Sequence, residues 1–170
     1  MDTQFTTVSP FQITDNVFKL LDKDWMLVTA GTPEHFNTMT ASWGGLGILW
    51  NKPVAFVFIR PTRYTYEFAE RASTLTLSFF TEKYRNAMTL CGSLSGRHTD
   101  KVRQAGLTPV LSDLGGVCFS EARMIFECSK MYYTDIDPTH FQNPDIDRHY
   151  PAKDYHRMYI CEIVNCYEKK

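Results

Sequence analysis

An excess of charge of either sign is missing from this chain: 18 Lys and Arg stand against 19 Asp and Glu in 170 residues, a formal net charge of -1. A chain so balanced lacks the basic stripe with which a nucleic-acid binder neutralises phosphates, and no basic amphipathic stretch suits a membrane surface. No apolar run approaches the ~20 residues of a spanning helix; the longest lies near Val54–Ile59. The opening MDTQFTTVSPFQ has neither a positive n-region nor an apolar h-region. No signal peptide is therefore expected, and the expected compartment is cytoplasmic. Cysteine is sparse and odd in number, with Cys91, Cys118, Cys128, Cys161 and Cys166 forming no CxxC pair. That pattern argues against a disulfide framework and against zinc, and leaves buried, reduced thiols as the expectation. A GxGxxG fingerprint is also lacking, so a Rossmann reading has no phosphate loop.

What is present suits a packed core. Hydrophobic residues make up 44% of the chain and charged residues 22%, values that decide against disorder. No repeat, linker or low-complexity tract interrupts the sequence, so residues 1–170 are expected to form a single domain. Trp25–Ala30 reads as a buried strand, Gly31–Phe36 as turn chemistry, and Asn37–Trp43 as a second strand closing a hairpin. The glycine-rich stretch Gly44–Trp50 reads as a loop packed against something flat. Val54–Ile59 reads as a strand stopped by Pro61. Thr65–Ala72 has helical spacing, and Thr74–Phe80 alternates as a strand. Thr81 is placed to cap a helix through Leu90, and Thr99 a short helix ended by Gly106. Val117–Phe119, Ala122–Tyr132 and Met158–Tyr167 read as later strands, the last two long and paired, with Asp135–Tyr155 a long polar loop between them. Such irregular alternation fits a mainly β barrel with short helices better than a doubly wound sheet.

Four segments carry polar chemistry. In Asn37-Thr38-Met39-Thr40-Ala41-Ser42-Trp43, small polar residues punctuate an apolar setting. A planar heterocycle needs such a place, with backbone groups for its edge and small side chains for its face. On composition alone the same residues read more simply as ordinary sheet positions with Trp43 in the core. Arg60-Pro61-Thr62-Arg63-Tyr64-Thr65 leads from a strand end into a helix start, where free N–H groups attract phosphate and Arg60, Arg63, Thr62 and Thr65 add donors. It also reads as a plain cap with solvated arginines. CGSLSGRHTDK supplies Gly92, Ser93, Ser95 and Lys101 beside Cys91, a thiol for which buried filler at a helix end is the plainer role. YPAKDYHRMY places His156 at the entrance to the last strand. His140, His149, Asp145 and Asp147 lie nearby, but their spacings match no common ligand pattern, and no metal is expected.

Together these segments carry a resemblance. The run NTMTASWGGLGILWNKPVAFVFIRPTRYT, with CGSLSGRHTDK and the closing YPAKDYHRMYICEI, resembles the flavin reductase-like FMN-binding split-barrel family, in its flavoredoxin branch, from about Trp25 to Ile163. The resemblance implies a split β-barrel of FMN-binding type and a homodimer with FMN at the subunit interface. It lays Asn37, Thr38, Met39, Thr40, Ala41, Ser42 and Trp43 along the isoalloxazine ring. It assigns the phosphate end to Arg60, Thr62, Arg63 and Thr65, with Gly92, Ser93 and Lys101 reaching in from the loop after the second helix. His156 corresponds to a histidine near the flavin and is the one nominee for a catalytic role, positioning a nicotinamide or donating a proton. Where relatives commonly carry Gly-Glu before the branched residues of the final strand, this chain has Cys161-Glu162, so a side chain stands at a glycine position and is expected to crowd the ring or the dimer. The activity implied is NAD(P)H-dependent reduction of flavin, with NADH or NADPH as donor. One rival is an electron carrier serving a redox partner protein; the other is a non-catalytic module holding another ligand.

Overall fold

A computed structural model describes residue 1 and residues 3–170. Strand β1 (Phe5–Val8) is followed by a short helix α1 (Val17–Lys19). The Asn16 side chain caps α1 by accepting from the Lys19 N–H at 3.0 Å. A wider helical turn, Leu20–Asp24, continues it and buries Leu20 and Leu21. Strands β2 (Met26–Thr32) and β3 (His35–Ala41) form a hairpin whose register runs from Met26↔Ala41 to Thr32↔His35. Gly31 is obligatory here: its φ is +120°, and a Cβ would lie 2.4 Å from the His35 carbonyl oxygen.

The stretch expected as a glycine loop is instead strand β4 (Gly44–Leu49), paired along its length with β5 (Lys52–Ile59). Its glycines make room for a ring rather than for a turn. A Cβ on Gly45 would meet the Phe56 ring at 3.3 Å, and one on Gly44 the Phe56 carbonyl at 3.0 Å. The turn of this hairpin is Trp50 and Asn51, both at positive φ, a backbone twist that suits two-residue hairpins.

Helix α2 (Tyr64–Arg71) buries Phe68 and Ala69, and β6 (Thr74–Phe79) follows it. Helix α3 (Arg85–Ser93) begins through a 3-10 turn at Glu82–Tyr84. Thr81 makes no side-chain cap there, contrary to expectation. Asp100, not Thr99, caps α4 (Lys101–Gln104), its carboxylate accepting from the Arg103 N–H at 3.1 Å. A small ribbon, β7 (Pro109–Leu111) with β8 (Val117–Phe119), precedes the long pair β9 (Met124–Asp135) and β10 (Arg157–Lys169).

The main sheet runs in the order β3-β2-β6-β9-β10-β5-β4, with β1 added on β10. Its end strands, β3 and β4, are joined in the chain by Ser42 and Trp43 alone, so the sheet must curl until its ends meet without a ladder between them. The result is a barrel with a split. Met26, Val28, Leu77, Phe126 and Tyr159 fill its interior. Leu27, Met88, Cys91, Phe119 and Ile125 form a second cluster around α3.

Candidate functional site

The split is where the polar chemistry collects. β3 walls two adjoining clefts that share Met39 and Arg63. The smaller, about 100 Å³, is lined by Asn37, Thr62, Arg63, Thr65, Ser93, Ser95 and Lys101 among others. Four of its residues, Thr62 to Thr65, are the start of α2, and no side chain caps that helix. The Tyr66 N–H is taken by the Arg63 carbonyl at 2.9 Å, and the Tyr64 and Thr65 N–H groups before it have no side-chain cap.

The cations at this end are held, not loose. Arg63 donates to the Gly92 carbonyl at 3.0 Å. Lys101 is buried, and its Nζ donates to the carbonyls of Cys91 at 3.0 Å and Leu94 at 3.1 Å. Both side chains thus tie down carbonyls at the C-terminal end of α3, where a positive charge is favoured. Burial lowers the Lys101 pKa, with the Cys91 side offsetting part of this. An ammonium has three donors, so one remains for a ligand. Thr65 accepts from the Asn37 amide at 2.7 Å, which leaves its own proton to donate. Gly92 lies close over Thr40: a Cβ would meet the Thr40 Cβ at 3.2 Å. The Thr40 hydroxyl is used, donating to the Met88 carbonyl.

The other cleft, about 160 Å³, is lined by Met39, Thr40, Ala41, Ser42, Trp43, Phe58, Arg60, Arg63 and His156. It abuts an apolar chamber of about 720 Å³ that shares Ser42, Trp43 and Phe58 with it and adds Phe18, Leu21, Ile136 and Tyr150. Residues 136–156 form a strap beside these spaces. Arg60 pins the strap, donating to Asp154 at 2.9 Å and to the His149 carbonyl at 2.8 Å, and lying over the Tyr150 ring at 5.0 Å. Thr62 donates to the same Asp154 carboxylate at 3.2 Å. The Tyr150 hydroxyl is 2.9 Å from His156 Nδ1. Burial, reinforced by Arg60, lowers the His156 pKa to about 4. The imidazole is neutral at neutral pH and holds no imidazolium proton to deliver there.

The structure brings together Met39 to Trp43, Arg60, Arg63 and His156 in one cleft and Asn37, Thr62, Thr65, Ser93 and Lys101 in the next. It separates Thr38, whose buried hydroxyl lies 2.8 Å from that of Thr29 and donates to the Val28 carbonyl at 3.3 Å. That side chain points into the sheet packing, away from the cleft. Trp43 is 46% exposed, so it is not a core residue. Arg60, expected at the phosphate end, stands at the other cleft and is committed to the strap. Cys161 is buried within the barrel core and lines neither cleft. Cys91 is a buried thiol pushed up to about 11, an unreactive group. Asp147 is taken by Lys153 and Tyr155, and His149 packs edge-on to Trp43 at 5.6 Å.

Phe58, Tyr150 and Asp154 were not singled out from the sequence. Phe58 had a signal, since alternation along β5 turns it away from the face of the buried Val57 and Ile59. Tyr150 and Asp154 lie within the segment around His156, but nothing local tells that they reach back to Arg60.

An antiparallel barrel split at one seam, with an anion-ready helix start at one end of the seam and aromatic walls at the other, defines the FMN-binding split-barrel class of fold. Solved structures share it. The FMN-binding domain of a flavin reductases-like enzyme from Shewanella baltica is 17% identical, with a TM-score of 0.71 over 99% of this chain and 79% of that one. Flavoredoxin of Desulfovibrio vulgaris is 22% identical, with a TM-score of 0.69 over 97% and 78%. An FMN-binding protein from Thermus thermophilus with bound p-hydroxybenzaldehyde is 19% identical, with a TM-score of 0.68 over 96% and 83%. No curated protein sequence matches the chain. The model of the flavin reductase like domain matches residues 20–170, and the chain belongs to that family. Among the described residues no helix is long and apolar enough to cross a membrane.

Proposed function

We propose that this chain binds FMN across the two clefts and transfers hydride to it from NADH or NADPH, as a flavin reductase. One observation carries the reading: a single strand, β3, spans from the uncapped start of α2 to the wall formed by Trp43 and Phe58. The donor set fits the cofactor. A phosphate completes the missing cap of α2 and takes the remaining donors of Arg63, Lys101 and Thr65. Met39 to Trp43, which line the other cleft, would hold the flat ring, with backbone groups available to its polar edge.

FMN, when bound, would supply the redox chemistry as a hydride acceptor. The chain's own residues bind, orient and shield. Trp43 and Phe58 wall both the ring cleft and the larger chamber, so they would orient a nicotinamide held in the chamber toward the ring cleft. His156 offers a neutral edge at the junction. The active form is a homodimer in this reading, with the half-exposed Trp43 facing the partner.

The test is an absorption spectrum of the purified protein, followed by anaerobic titration with NADH and NADPH. A flavin spectrum that bleaches with either donor supports a reductase. A flavin spectrum that resists both donors, but bleaches with a reduced electron-transfer protein, marks a carrier and defeats the reductase assignment. No flavin bound, even after reconstitution, defeats the whole reading.

A further inference from the structure

We propose that Tyr150 is a positioning residue that holds His156 as its Nε2–H tautomer and so turns a fixed, uncharged N–H donor toward the ring cleft; the inference rests on the flavin reading above. The Tyr150 side chain is almost fully buried, at 3% exposure, and its hydroxyl lies 2.9 Å from His156 Nδ1. Among the described residues the phenol has no other hydrogen-bonding side chain or carbonyl within reach. The phenol oxygen also accepts from the His156 backbone N–H, which cannot take its proton, so Nδ1 is the acceptor left for it. Were Nδ1 the donor instead, the phenol proton of this side chain, only 3% exposed, would be left without a partner among the described residues, a cost that native structures avoid. Nδ1 therefore accepts, and the ring proton sits on Nε2. Among the described residues Nε2 has no hydrogen-bond partner, and the ring lines the cleft beside Ser42, Trp43 and Arg60.

The ring is held against turning. Its centroid is 5.2 Å from that of Trp43, 5.5 Å from Tyr150 and 6.4 Å from Phe58. The charged and titratable groups around it favour the uncharged form. Arg60 from the end of β5 and Arg63 at the start of α2 both oppose a second proton. Asp154 of the strap opposes them, but its carboxylate is bonded to Arg60 and Thr62. His149 lies against Trp43 rather than against His156. Tyr150 is held in turn by Arg60, which lies over its ring and bonds the adjoining His149 carbonyl. A donor of this kind suits a ligand atom with a lone pair, such as a carbonyl oxygen or ring nitrogen of flavin or nicotinamide, without adding charge beside Arg60.

The test combines imidazole nitrogen NMR on the full-length chain with a double-mutant cycle on Tyr150→Phe and His156→Gln. In the wild type, Nδ1 should carry the signature of an unprotonated acceptor at pH 7 and Nε2 that of N–H; a proton found on Nδ1 overturns the proposal, whatever the variants do. In Tyr150→Phe the His156 titration midpoint should rise, because the uncharged form loses a bond. Reduction of bound FMN by NADH should slow about tenfold, as for one lost hydrogen bond, with FMN affinity within about twofold of wild type. In the His156→Gln background the same change should cost nothing further. An unchanged midpoint, or equal slowing in both backgrounds, also overturns it. Failure of the wild type to bind FMN would sink the flavin reading alone, since the nitrogen spectrum judges the tautomer without any cofactor.

Discussion

Arg60 and Arg63 are three residues apart and serve different masters. Arg63 bonds the end of α3 and faces the start of α2, whereas Arg60 is bound to Asp154, His149 and Tyr150 of the strap. Replacing Arg63 with alanine should weaken FMN binding by about 10- to 100-fold, the size of one charge-assisted bond. Arg60→Ala should change FMN affinity by less than about threefold. Fluorescence titration of the two variants checks the difference. Glu127 is another residue whose burial has a stated reason. It is fully buried on β9, yet Ser112, the Leu114 N–H, Asn165 and Tyr167 all donate to its carboxylate. Glu127→Leu strands these donors and should cost about 3 kcal/mol or more in denaturant unfolding.

At the scale of elements, the strap and β4 teach opposite lessons. The strap is long and polar, yet it is tied to the seam through Asp154, which Arg60 and Thr62 both hold. Asp154→Ala should raise hydrogen exchange across residues 138–153 several-fold and leave the barrel strands protected. The sequence marks this segment as a loop, and the loop's attachment is a long-range fact that no local pattern encodes. For β4 the local pattern misled. Glycines usually punctuate, and here they leave space for Phe56 on the neighbouring strand, a partner visible only once the register is known. The long strands β9 and β10, the hairpin of β2 and β3, and helix α2 were legible because their apolar spacing extends over enough residues to override single positions. Short elements set by tertiary pairing, β1 and β7, left no such trace. Of the site, the residues along β3 and at the start of α2 were legible by type, while the division of labour between Arg60 and Arg63 depended on contacts with the distant strap.

At the scale of the whole molecule, acid should loosen the fold partly through His156. Its ordinary pKa of 6.5 falls to about 4 in the folded chain through burial and the nearby Arg60. As pH drops from about 6.5 toward 4, the unfolded chain takes up a proton that the folded chain refuses. Stability present above pH 6.5 is therefore lost across that window. His156→Gln should lose less melting temperature than the wild type between pH 7 and pH 4.5, by scanning calorimetry. The homodimer expected of the active form should give a light-scattering mass twice the 19.7 kDa of one chain.

The hairpin strand β3 also acts as a ruler. Asn37, Met39 and Ala41 recur every second residue, and one strand residue advances about 3.3 Å, so the distance between the two cleft ends is written into the backbone. Adding or deleting a single residue within 37–41 would turn the Thr38 face of the strand toward the clefts and misplace both ends together. Lengthening the turn at Gly115 would leave that gauge untouched. Inherited insertions should thus accumulate in such surface turns, and the count of residues between Asn37 and Ala41 should stay constant wherever the same ligand is retained.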